Sequence, residues 1–168
     1  MSNIITNGRI NKNDYLKMSN GATDVFFDVL ILSGSEIAHN RWEKELIVFL
    51  SLNDQEVKGL GCVGFDICEL GWEVNIFDDQ KSFLLTVIDN ALKKVNWDVL
   101  NYNPNEELIF ANLIRFREMI LNYSKEFVES EDNLNWNNDF KALKFKKCNI
   151  HNVYMHPYGC KLCHSQEY

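Results

Sequence analysis

In the first half of the chain apolar residues alternate with polar ones; in the second half they recur every three or four positions. From Thr23 to Ser33, Val25, Phe27, Val29 and Ile31 alternate with Asp24, Phe26, Asp28 and Leu30, which reads as a strand with both carboxylates on its outer face. From Glu45 to Leu52, Leu46, Val48 and Leu50 alternate with Ile47 and Phe49, a strand apolar on both faces and so central in its sheet. Gly59 to Cys68, with Val63, Phe65 and Ile67 on one face, reads as a third strand, and Gly71 to Phe77 as a fourth. The period then changes. Leu84, Val87, Ile88, Ala91, Leu92 and Val95 predict a helix over 79–95. Ile109, Leu113, Phe116, Ile120, Tyr123 and Phe127 predict another over 103–128, with Asn103 as its cap and Pro104 at its first position. Strands followed by helices imply an α+β fold: an antiparallel sheet of about four strands packed on two main helices.

At 168 residues the chain suits one core. Residues 1–140 read as the α+β domain and 141–168 as a tail packed on it. Met1 to Asn20 is polar and Asn-rich, without the apolar stretch of a secretion signal, and no run of 18 apolar residues exists, so no membrane partner is expected. A cytoplasmic location follows as the expectation, with reduced thiols. The net charge of −7 divides unevenly. Residues 1–140 hold 12 basic and 23 acidic groups, a balance of −11; residues 141–168 hold 5 and 1, a balance of +4. An acidic body repels phosphates and attracts basic proteins, so a protein partner is expected and nucleic acid is not.

Metal chemistry is concentrated in the tail. Cys148-Asn149-Ile150-His151 is followed, after eight residues, by Cys160-Lys161-Leu162-Cys163-His164. Each two-residue gap lets one tight turn aim two donors at the same ion, the spacing of tetrahedral zinc sites. Cys148, His151, Cys160 and Cys163 are the expected ligands, with His156 or His164 as replacements for His151. Three thiolates and an imidazole fill a tetrahedron, so the zinc would be structural, with no position left for catalytic water. Cys160 to His164 also reads C-x-x-C-H, a haem-attachment pattern, but that chemistry needs export from the cytosol.

No nucleophile elbow, zinc-protease, phosphate-loop or kinase motif is present. Gly59-Leu60-Gly61-Cys62-Val63-Gly64 matches G-x-G-x-x-G by letter but continues as a strand, so its glycines mark close approach of another segment. The final cysteine pair, with His151, Asn152 and His156, resembles the last ligand pair of zinc-containing HNH nucleases, a remote alternative that seventeen residues cannot complete. The expectation is a protein that is not an enzyme.

Between Trp42 and Tyr123 the chain is similar to small immunity proteins of bacterial polymorphic-toxin and contact-dependent growth inhibition systems. The resemblance rests on Val63-Gly64-Phe65-Asp66, Phe77 with Lys81-Ser82-Phe83-Leu84-Leu85, and Trp97 through Glu107. It implies a binding protein that neutralises a cognate toxin domain, such as a basic nuclease. Asp24, Asp28, Asp66, Glu129, Glu131 and Asp132 are candidate contact residues, and Trp136 a core anchor. The competing expectation is a zinc-stapled adaptor or regulatory domain that binds some other protein.

Overall fold

The computed structural model describes residues 3–8, 10–129 and 144–166. The architecture is α+β, with a three-stranded mixed sheet and seven α-helices among these residues. The chain opens with β1 (Asn3–Thr6) and β2 (Tyr15–Met18). Three helices follow: α1 (Asn20–Ile37), α2 (Arg41–Ser51) and α3 (Gln55–Lys58). After β3 (Gly64–Asp66) come α4 (Phe77–Leu92), α5 (Glu106–Asn122), α6 (Lys125–Glu129) and α7 (Lys161–Gln166). The sheet order is β2-β1-β3, with β1 antiparallel to β2 and parallel to β3. Among the described residues no helix is long and apolar enough to cross a membrane.

The expected four-stranded antiparallel sheet is therefore overturned. Thr23 to Ser33 lies inside α1, the helix around which the molecule is built. Ser19 caps it, its side chain accepting from the Ala22 amide, and Phe26, Phe27, Val29, Leu30, Ile31 and Leu32 are all buried. A helix surrounded by protein is apolar on every side, so its sequence contains an alternating subset as readily as a helical one. Glu45 to Leu52 fails for the same reason and forms most of α2. The true signal is at the start of α2, where Asn40 and Glu43 bond each other's backbone amides in a capping box. The third expected strand shrinks to Gly64–Asp66. The fourth becomes a 3-10 turn (Val74–Ile76) and the first residue of α4.

The later helices lie close to their expected places, with corrected ends. Asn105, not Asn103, caps α5 by accepting from the Leu108 amide at 3.2 Å. The helix ends at Asn122 with Tyr123 in an extended conformation, and Lys81, from α4, donates to the Leu121 and Tyr123 carbonyls at 2.8 and 2.7 Å. A cation at a helix C-terminus satisfies carbonyls that have no partner within the helix. α2, α4, α5 and α7 all pack on α1. Gly34 lets α2 approach, since a Cβ there would sit 2.2 Å from Ile47 Cδ1.

The sheet is pinned by a buried asparagine in the segment read as polar terminus. Asn3 Nδ2 donates to Thr23 Oγ1 and Gln55 Oε1 at 2.8 and 3.0 Å, and its Oδ1 accepts from the Val63 amide at 3.1 Å. At the strand crossing Gly64 has φ +138°, and a Cβ there would meet the Ile4 carbonyl oxygen at 1.9 Å. Gly64→Ala should thus cost at least about 3 kcal/mol, since it combines a disfavoured backbone with a clash against main chain. Urea unfolding at neutral pH measures it.

Asp66 is a structural carboxylate at the end of β3, not a free contact residue. It accepts from Thr6 Oγ1, the Gly8 amide and the Cys68 amide at 2.7, 3.0 and 3.0 Å. Burial pushes its carboxyl up, but these donors outweigh that and hold it below its ordinary value. A group depressed in the folded state contributes stability above its unfolded pKa of about 3.9 and loses it as pH falls through the folded value. Asp66→Asn should therefore cost about 1–3 kcal/mol at pH 7, with the gap from the natural protein closing below about pH 4. Paired urea titrations at the two pH values test this.

Candidate metal centre

Two turns and one short helix bring the tail's donors together. In the first turn the Cys148 carbonyl accepts from the Asn152 amide at 2.8 Å, and the Cys148 amide donates to the Val153 carbonyl at 2.8 Å. Asn152 closes this turn in the left-handed region, φ 55°. In the second, His156 and Gly159 exchange backbone hydrogen bonds of 3.1 and 3.0 Å around Pro157-Tyr158, and Gly159 has φ +124°. Cys160 follows at once, and Cys163 lies on α7, one turn further on.

Cys148, His151, Cys160 and Cys163 offer donor atoms that all lie within 4.8 Å of one another. His151 presents Nδ1 to all three sulfurs, at 3.7 Å from Cys148, 3.6 Å from Cys160 and 3.4 Å from Cys163. The Cys148 and Cys163 sulfurs are 3.8 Å apart. Zinc bonds of about 2.3 Å to sulfur and 2.0–2.1 Å to nitrogen, at the tetrahedral angle, require separations of about 3.8 Å (S to S) and 3.5 Å (S to N). The cluster can thus hold a metal ion such as zinc. The protons agree with this. Burial raises the Cys148 thiol, but the His151 and Ile150 amides and the neighbouring thiols hold it below its ordinary value. Burial pushes the Cys160 thiol far up, and Cys148 and Cys163 push it further. Three crowded thiols cannot all ionise unaided, and a dication removes that conflict.

The alternative ligands are occupied elsewhere. His156 Nε2 lies 2.9 Å and His164 Nδ1 2.5 Å from Asp54 Oδ2. These three residues also lie close enough to share an ion. However, the Tyr158 amide donates to His156 Nδ1 at 3.1 Å, which leaves the ring hydrogen on Nε2, facing Asp54. The group is a hydrogen-bonded triad that ties the tail to the start of α3, not a second ligand set. Burial raises the Asp54 carboxyl, but both histidines and the Glu56 amide outweigh it and hold the group below its ordinary value.

Lys161, between the two cysteines of the last pair, reaches into α1. It is only 1% exposed, and its Nζ lies 2.9 Å from Asp28 Oδ1, 3.3 Å from Asp24 Oδ1 and 2.9 Å from Ser165 Oγ. Tyr102 donates to the other Asp28 oxygen at 2.7 Å. Burial pulls Lys161 down and pushes Asp28 up, yet the carboxylates raise the lysine above its ordinary value, so the ammonium persists. Asp28, expected on an open sheet face, is wholly buried.

Comparison with known proteins returns no match to a family model, a curated protein or a solved structure. The site is thus defined by its geometry alone. That geometry adds Tyr102, Ser165 and Asp54 to the residues named from sequence, and it makes Asp28 a buried partner of Lys161 instead of a contact residue. The signal for that pairing was present: Asp24 and Asp28 are four apart, on one side of a helix once α1 is read as one. Glu131, Asp132 and Trp136 lie outside the described residues.

Proposed function

We propose that the chain is a metal-stapled inhibitory binding protein of the immunity type, which neutralises a cognate toxin domain by contact, with zinc as a structural ion. The observation that carries this reading is the donor set itself. Four protein donors at tetrahedral spacing would fill the coordination of zinc, and an ion bound there would hold α7, which packs on α1. Such a centre supports a rigid surface in preference to turnover. The −11 balance of residues 1–140 suits a basic partner and would accelerate its capture at low salt. The HNH alternative gains no support from this arrangement: His151 faces the three sulfurs, and His156 and His164 are bonded to Asp54.

Co-expression with a toxin domain encoded beside this chain tests the reading. The expected result is restored growth, a one-to-one complex on purification, and an association rate that falls as salt rises. Growth arrest with no complex would sink it. An adaptor role is the second reading, favoured by Ile150 and Tyr158, which stand 78% and 68% exposed on the two turns of the tail. It predicts that Ile150→Ser with Tyr158→Ser abolishes partner binding while the metal stays bound.

A further inference from the structure

We infer that the centre is a peroxide-sensitive switch, in which Cys163 and Cys148 form a disulfide, expel the metal and release α7 from α1. The inference rests on the reading of the four donors as a bound-metal centre. The three sulfurs differ in access: Cys148 and Cys160 are buried, whereas Cys163 is partly exposed. Cys163 is therefore where a small oxidant first meets a metal-activated thiolate. Its sulfur attacks one peroxide oxygen, the O–O bond breaks, and hydroxide leaves, giving a sulfenic acid. The Cys148 thiolate, 3.8 Å away, then attacks that sulfur and displaces a second hydroxide. Two thiolates lose two electrons, one peroxide gains them, and the hydroxides take up protons to become water.

The structural consequence follows from position. The two sulfurs close from 3.8 Å to about 2.05 Å, and the ion loses half of its donors. Cys163 and Lys161 share α7, whose six residues cannot sustain a helix alone. Loss of the ion thus works Lys161 loose from Asp28, two residues from the oxidised sulfur. The tail changes from a fixed part of the surface to a loose one.

The experiment uses the full chain, purified under reducing conditions, with metal content measured by native mass spectrometry. Hydrogen peroxide is then added, and site-resolved peptide mapping is combined with amide hydrogen exchange. The expected result is a Cys148–Cys163 linkage, release of the metal in step with it, and at least a tenfold loss of protection in α7. Reductant plus zinc restores all three. A centre that keeps its metal while the exposed Cys62 oxidises overturns the switch and leaves the metal reading standing. A disulfide that leaves α7 protected also overturns it. Material that carries no metal when isolated overturns both.

Discussion

Lys161→Met destabilises the domain by about 3–5 kcal/mol, the loss expected when one member of a buried ion pair is removed and the other stays behind. Asp28 has no route to water: it is wholly buried, beneath Tyr102 and Ser165. The lysine supplies its only full positive charge at contact distance among the described residues. The diagnostic comparison is the double variant Lys161→Met with Asp28→Leu. An apolar pair of similar volume removes both charges, so it should recover most of the loss and can equal the natural protein. Urea unfolding of the two single variants and the double variant closes the cycle. If Lys161→Met alone costs less than about 1 kcal/mol, the lysine is held there by the fold and adds little to it.

Metal removal has the larger effect of the two. A chelator strong enough to strip zinc should lower the melting temperature of the whole chain, not merely loosen its last residues. The apparent binding energy of small structural zinc sites runs to about 10 kcal/mol, and it is lost together with the seating of Lys161. The tail is held on the body at three further places besides the lysine. The Tyr154 amide donates to Ser35 Oγ at 3.1 Å, Leu162 is fully buried, and the two histidines bond Asp54 beside α3. Calorimetry with and without chelator, and with zinc restored, should show one shifted transition. Two transitions, with the second at the original temperature, would mean that the tail melts as a separate unit. Elemental analysis should find one equivalent of zinc per chain.

Much of the centre was legible because its information is local. A C-x-x-H and a C-x-x-C each fold into a turn within four residues, and eight residues between them are enough to bring the turns face to face. The choice of His151 over His156 and His164 was not local. It depends on Asp54, more than a hundred residues away, which takes up both other rings. The capping residues were partly legible too. Asn40 with Glu43 fits a capping box and Ser19 fits a cap, but the apolar run behind each suits a buried strand as well.

By itself the sequence determined the three cysteine donors and their spacing, the excess of acid over base in the body, and the positions of the two later helices, whose one-sided apolar stripes are read correctly because only one side is buried. Only the tertiary structure decided that α1 and α2 are helices, that the sheet is a small mixed one drawn partly from the polar first residues, and that Lys161 serves Asp28. The physical reason is burial from every side. A central helix carries no polar face to mark its period, and a buried charge is explained only by the partner that folding brings to it.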